Sequence, residues 1–203
     1  MIRTKKRHQL DMCHGSLADK ILLFAIPLMA SSMLQLLFNA ADVIVVGRFA
    51  GKESLAAVGS TGSISFLVIG FCMGICNGFA IPVAQRIGAG EPSKMRRYVA
   101  NAAYLGAGIA VVLTAATGLL CRTILTAMQT PEEIFADAYS YIFVIFMGIP
   151  ASILYNLLAA IMRSLGDSKT PVYFLALASI LNIGLDFAFI LLFRAGVAGA
   201  AIA

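Results

Sequence analysis

The feature that most constrains this chain is a series of apolar stretches, each long enough to cross a lipid bilayer. An α-helix rises about 1.5 Å per residue, so roughly 20 apolar residues are needed to span roughly 30 Å of hydrocarbon. Hydrophobic residues make up 60% of the chain and charged residues 12%, a composition that is rare in water-soluble domains. The sequence therefore predicts an all-α, polytopic membrane protein.

Five full spans are predicted, and a sixth apolar stretch opens at Gly196. Because Ala203 lies inside this sixth stretch, we expect the sequence to be a fragment that is truncated in its sixth helix. Residues 1–16 are expected to form an N-terminal tail, and residues 17–203 a transmembrane lobe. The five spans are Ile21–Val46, Leu55–Val83, Tyr98–Leu120, Ala138–Met162 and Pro171–Phe193.

Lys and Arg residues are distributed unequally between the two sides of the predicted membrane. If the N-terminal tail is cytoplasmic, eleven of the fifteen lie inside, and none lies within a span. Cytoplasmic loops carry such an excess of basic residues, so we expect the N-terminus to lie on the cytoplasmic side of the membrane. The net charge of +5 is explained by this topology and by contact with anionic lipid, and no nucleic-acid partner is expected. The four basic residues outside are Arg48, Lys52, Arg122 and Arg194.

Two carboxylates lie inside predicted spans, Asp42 in the first and Asp186 in the fifth. A charge at the centre of a membrane helix costs about 2.5 to 3.5 kcal/mol on insertion scales, so such residues are usually functional. Both helices run in the same direction, and the depths of the two aspartates differ by only about 3 Å. We therefore expect them to share one site in the outer half of the bundle.

Amide side chains accompany both aspartates at helical spacing. Gln35 and Asn39 precede Asp42 on one helix face, and Asn182 precedes Asp186. These faces are expected to point at each other or at a water-filled cavity, because lipid cannot satisfy polar groups. Oxygen ligands around two carboxylates suit a hard cation or a proton. Hydrogen bonding between helices is the alternative explanation of an amide such as Gln35, but it explains two ionisable groups poorly.

No metal cluster or organic cofactor is expected from the sequence. The spans contain no histidine, and Cys72, Cys76 and Cys121 are joined by no second cluster of Cys or His. We expect these cysteines to be small buried apolar residues. An intramembrane enzyme would need a nucleophile or a metal set near the membrane surface, and the lack of intramembrane histidine argues against a metal-dependent one.

Pro27 lies in the first span, about four helical turns before Asp42. A proline removes one backbone hydrogen bond from a helix and produces at least a static kink. A bend that changes during transport is the functional alternative, and the sequence by itself does not favour it.

Four motifs occur in order with these spans between them: NAADVIVVGRFAG, AQRIGAGEPSKMRRY, MRSLGDSKTP and LNIGLDF. Together they resemble the multidrug and toxic compound extrusion (MATE) transporters, in the prokaryotic DinF-like branch. The resemblance covers nearly the whole chain from about Ser16. It implies a twelve-helix fold of two six-helix lobes around a central cleft, in which this chain is the N-terminal lobe and a C-terminal lobe is missing.

The resemblance also implies a function and a set of site residues. MATE transporters are not enzymes, and they export organic cations, drugs and other amphipathic compounds in exchange for Na⁺ or H⁺. The coupling cation of the N-terminal lobe would bind at Asp42, Asn182 and Asp186. Tyr141 and Asn156 resemble further polar residues that line the cavity of the lobe, together with Gln35 and Asn39 on the first helix. Pro27 resembles the proline at which the first helix bends.

Other functions remain open at this point. A lipid-linked oligosaccharide flippase of the same superfamily would share the helix count, but we would expect a more basic cavity than spans without Lys or Arg provide. A channel would need oligomeric repetition of an acidic ring, which the sequence does not reveal. A fragment without its second lobe is expected not to transport on its own.

Overall fold

A computed structural model describes residues 17–192, 199 and 201–202 of the chain, and the described residues contain helices and no strand. This confirms the predicted all-α fold. Two helices are followed directly by a single π-helical turn, at Val46–Ala50 and at Ala188–Leu192. The helices are α1 (Leu17–Val45), α2 (Lys52–Gly88), α3 (Pro92–Ala127), α4 (Glu132–Met147), α5 (Ile149–Ser164) and α6 (Thr170–Phe187).

Within the described part of the chain, four helices are long and apolar enough to cross a membrane, and α4 with α5 passes the same test as a bent pair. These helices agree with the five predicted spans when the bent pair is counted as one span. The predicted tail at 1–16, residues 193–195 at and just beyond the end of the predicted fifth span, and most of the predicted sixth span, at 196–198, 200 and 203, lie outside the described residues. We call the end of the bundle that holds the α2–α3 and α5–α6 connections the inner end, and the opposite end the outer end.

The predicted span Ala138–Met162 is not one straight helix, because the chain bends by 43° between α4 and α5. The break falls at Gly148, and Pro150 follows in the first turn of α5. Proline has no backbone N–H, and its ring crowds the carbonyl of the residue four positions earlier, Phe146, which favours a kink or a break at this point. The sequence contained this signal, and the prediction of an unbroken span missed it.

Helices α2, α3, α4 and α5 form the core of the lobe. The central helix, α2, packs against the other three, and α3 packs against both α4 and α5. Ile142, Phe146 and Ile149 are completely or almost completely buried where the bent span crosses this group. Cys72 and Cys76 are free thiols buried in the same cluster, as expected for small apolar residues.

Helices α1 and α6 form a separate pair beside this core. They pack along each other, whereas α6 touches α5 only slightly. The main attachment of the α1 side is at the outer end, where the π-helical turn Val46–Ala50 packs against α2. The inner half of α1 is therefore free of tight packing against the four-helix core.

The turn between α2 and α3, at the inner end, is fixed by ion pairs. Arg86 lies 2.9 Å and Lys94 lies 2.7 Å from the carboxylate of Glu91. Hydrogen bonds from Lys94 and Arg86 hold the pKa of Glu91 below its ordinary value. The carboxylate is thus matched by two of the basic residues that mark this end of the bundle.

Helix α3 approaches α5 closely at Gly106. A Cβ atom at Gly106 would lie 3.3 Å from Leu157 Cδ2 and 3.7 Å from Ile153 Cγ2, whereas one at Gly108 would meet nothing within 4 Å. We expect Gly106→Val to lower the free energy of unfolding by about 1–3 kcal/mol through overpacking. Gly108→Val is the matched control, since both changes add the same side chain to the same helix. Thermal unfolding in detergent, followed by circular dichroism, measures the difference, and equal effects of the two changes would contradict the packing explanation.

Candidate cation site in the outer half of the bundle

The structure brings Asp42 of α1 and Asp186 of α6 together. The two helices are parallel neighbours, and the two carboxyl groups lie close enough to influence each other electrostatically. The side chain of Asp186 is 0% exposed, and that of Asp42 is half-buried. No basic residue is paired with either carboxylate among the ion pairs of the described residues. Two acidic groups are thus held side by side in a poorly solvated place.

Several oxygen atoms at this site are buried without a hydrogen-bond donor among the described residues. They are one carboxylate oxygen of Asp42, both of Asp186 and the amide oxygen of Asn182. A buried acceptor that is left unpaired costs about 1–3 kcal/mol, so folded proteins rarely keep several in one place. An arrangement of acceptors alone is suited to a cation or to protons, which supply the missing positive charge.

A cavity of about 110 Å³ is lined by Asp42 of the pair, whereas Asp186 is not part of its lining. This volume is enough for an ion with a few water molecules. Polar groups enter it from two sides, because Asn39 and Asp42 belong to α1 and Tyr141 belongs to α4. The apolar part of its lining is Val43, Val46 and Val58. The polar face predicted on the first helix therefore reaches this cavity through Asn39 and Asp42.

The remaining residues of the predicted site lie elsewhere. Gln35 is exposed one turn before Asn39, and it does not line the cavity. Asn156 lies on α5 and donates a hydrogen bond from its side-chain nitrogen to the carbonyl of Ser152, 2.8 Å away. Pro27 lies within α1, which continues through it as one helix. None of these three contributes to the carboxylate pair in this structure.

The two π-helical turns are a feature of the site that the sequence analysis missed. Val46–Ala50 begins four residues after Asp42, and Ala188–Leu192 begins two residues after Asp186. The turns touch each other, and the rings of Phe49 and Phe187 meet edge to face with centroids 5.7 Å apart. Isolated π-helical turns are rare and often lie at functional sites. The apolar residues of both segments fit an α-helical turn equally well, so composition held no signal for them.

An apolar cluster lies beyond the carboxylates at the outer end. Val45, Val46 and Ile190 are buried against one another, and Val58 of α2 packs on them. Val46 and Ile190 each follow an aspartate by four residues, so both side chains lie one turn outside the pair. This cluster keeps water away from the outer side of the carboxylates and so strengthens their electrostatic interactions.

Comparison with known proteins identifies the family. The MatE family model matches residues 27–188. The Bacillus subtilis protein named "Probable multidrug resistance protein YpnP" is 32% identical over 191 residues, which cover 94% of this chain and 43% of that protein. The Thermotoga maritima protein named "Probable multidrug resistance protein NorM" is 30% identical over 188 residues, covering 91% of this chain and 40% of that protein. A solved MOP-superfamily transporter from Pyrococcus furiosus matches with a TM-score of 0.89 and 29% identity, covering 97% of this chain and 43% of that one.

The chain spans less than half the length of the curated relatives that it matches. Its helices agree in fold with about that share of a complete transporter, which confirms the expectation of an N-terminal lobe. The members of the family are transporters, so the expectation that the chain is not an enzyme is confirmed as well. On the family model, the curated relatives and the solved fold together, this chain belongs to the MatE family of multi-pass membrane transporters.

Proposed function

We propose that this chain is the N-terminal lobe of a cation-coupled efflux transporter that moves amphipathic or cationic small molecules out of the cytoplasm. The relatives named as multidrug resistance proteins support the direction and the class of substrate. The observation that carries the proposal is the pair Asp42–Asp186, with its buried oxygens unmatched by any donor in the described residues. Gradient-driven efflux measured with and without substitutions at this pair tests it.

The transported counter-ion, Na⁺ or H⁺, would be held by Asp42, Asn182 and Asp186. Each of these residues offers at least one buried oxygen without a donor, and carboxylate and amide oxygens are ligands of hard cations. A bound positive charge reduces the repulsion between the carboxylates and so favours the close approach of α1 and α6. An ion shifts a two-state equilibrium only by its difference in affinity for the two states, and a change in the α1–α6 distance supplies such a difference.

The attachment of α1 determines where this ion can act. Its outer end is anchored against α2 by the π-helical turn, whereas its inner half has little packing against the core. Pro27 lies in that loosely packed half, where the helix lacks one backbone hydrogen bond. In this proposal, ion binding at Asp42 alters the tilt or bend of the inner half of α1, and this movement opens or closes the substrate cleft.

The orientation in the membrane is proposed to be N-terminus inside, with Lys52 outside and Lys94 inside. Both residues are exposed. Lys52 is the first residue of α2, and Lys94 lies in the first turn of α3, so the length of α2 separates them. In a cysteine-free variant, a single cysteine at Lys52 is expected to react with an impermeant thiol reagent on intact cells. A cysteine at Lys94 is expected to react only after permeabilisation.

Permeabilised cells provide the control for both positions, since each cysteine must then be labelled. Labelling at Lys94 and protection at Lys52 in intact cells would show that the orientation is inverted. The aspartate pair would then lie on the cytoplasmic side, and the proposed direction of coupling would be wrong.

A further inference from the structure

A groove of about 500 Å³ opens at the inner end of the bundle, far from the carboxylate pair. One wall is the inner half of α1, with Phe24 and Leu28 on either side of Pro27. The other wall is α2, with Ile81 and Ala84. The groove is therefore the gap that separates the loosely attached α1 from the four-helix core.

Arg163, the penultimate residue of α5, lines this groove. Its guanidinium donates one hydrogen bond, of 3.2 Å, to the side-chain oxygen of Asn77. No carboxylate of the described residues forms an ion pair with it. A guanidinium has five N–H donors, so most of its donors are available to a further acceptor.

The neighbouring residue explains why Arg163 is held in this place. The single hydroxyl donor of Ser164 is shared between two carbonyl oxygens, that of Ala80 on α2, at 3.1 Å, and that of Ala160, at 3.0 Å. These bonds fix the end of α5 against α2. The guanidinium is thus positioned by its helix at the bottom of the groove and requires no ion pair to hold it.

The occupant of such a groove must combine an anion with an apolar segment. A guanidinium binds phosphate oxygens with two parallel hydrogen bonds, and apart from Asn77 and Ser164 beside it the lining of the groove is aliphatic or aromatic. The volume falls in the range of pockets that hold small molecules. Basic pockets between membrane helices on the cytoplasmic side are known to receive phosphate headgroups of lipids.

We propose that the groove between α1, α2 and α5 binds an anionic phospholipid, with its phosphate on Arg163 and an acyl chain between Phe24 and Ile81. In the proposed orientation the groove faces the cytoplasmic leaflet, which is rich in anionic lipid. A chain in the groove fills the gap beneath the inner half of α1 and so limits how far this half approaches the core. The lipid would thereby regulate the movement of α1, a role separate from the ion site at Asp42.

The chain contains no Trp, which permits a site-specific test with a single introduced fluorophore. Phe24→Trp places it in the groove, and Phe66→Trp makes the same change at an exposed position of α2 outside the groove. The full chain is reconstituted in bilayers of phosphatidylcholine that contain brominated phosphatidylglycerol or brominated phosphatidylcholine as the quencher. We expect the anionic quencher to act on Phe24→Trp at about tenfold lower mole fraction than the neutral one, and to show no such preference at Phe66→Trp.

Arg163→Gln should abolish this preference, whereas Arg86→Gln should retain it. Both changes remove one guanidinium from the inner end, but Arg86 is paired with Glu91 and lies outside the groove. Ala84→Leu narrows the groove without touching Arg163 and should weaken quenching by the anionic lipid as well. Helix content measured by circular dichroism confirms that each variant is folded.

Three results would overturn the proposal. One is an equal preference at Phe24→Trp and Phe66→Trp, which would mean that lipid gathers around the whole surface. Another is an equal loss in Arg163→Gln and Arg86→Gln, which would mean that only the total charge matters. The third is removal of the preference by excess inorganic phosphate at constant ionic strength, which would assign the site to a free phosphate in place of a lipid.

Discussion

Asp42→Asn is expected to reduce gradient-driven efflux on the order of a hundredfold, the upper range of the coupling between two sites in one protein. The change keeps the size of the side chain and its ability to hydrogen-bond, but removes the charge that a counter-ion would neutralise. Membrane expression should stay near normal, because Asp42 is only half-buried and has no ion-pair partner among the described residues. The measurement is efflux of a fluorescent organic cation from proteoliposomes that contain a two-lobed transporter with this lobe.

Asp186→Asn should have an effect of similar size, and the double variant should be little worse than either single one. The carboxyl groups are electrostatically coupled neighbours, so the loss of one already destroys the paired site, and the effects of residues in one site do not add. Asp19→Asn is the matched control, since Asp19 is an exposed acid in the first turn of the same helix, α1. Near-normal, gradient-coupled efflux by Asp42→Asn would mean that the carboxylate is structural.

The depth of the two aspartates could be predicted from the sequence because membrane helices have a fixed rise and direction. Once the spans were placed, the residue number gave the depth of Asp42 and Asp186, and two buried charges at one depth have a strong reason to meet. Pro150 favoured a kink near Gly148, but α1 and α2 continue through Pro27 and Pro82, so a proline alone did not distinguish a bent span from a continuous one. The limit of the prediction was the assumption that each apolar run is a single straight helix.

The rest of the site depends on packing that a one-dimensional pattern does not contain. Whether Val46–Ala50 forms an α-helical or a π-helical turn depends on its contacts with the other π-helical turn and with α2, while its composition suits both. The exposure of Gln35 and the placement of Tyr141 at the cavity depend on the rotation of each helix about its axis. The groove at Arg163 depends on the separation of α1 from the core, which no motif reports.

Asp42→Asn is also expected to make the isolated lobe more stable, by about 1–3 kcal/mol in the free energy of unfolding when Na⁺ is replaced by choline. The asparagine side chain brings an N–H₂ group to a place where the buried oxygens of Asp186 and Asn182 lack donors in the described residues. Supplying a donor to one buried acceptor recovers about this much free energy. It also removes the repulsion between two carboxylates in a poorly solvated environment.

This expectation separates a functional carboxylate from a structural one, because removing a carboxylate that supports the fold lowers stability, whereas binding sites are commonly retained at a cost in stability. A ligand that binds only the folded state stabilises it in proportion to the logarithm of its concentration, so Na⁺ should raise the melting temperature of the original lobe if it is the counter-ion. Asp42→Asn should be insensitive to Na⁺, and Asp19→Asn should respond like the original. A gain in stability without any response to Na⁺ in the original lobe would assign the site to H⁺. A loss of stability in Asp42→Asn, with the Na⁺ response intact, would show that Asp42 supports the fold and that the counter-ion binds elsewhere.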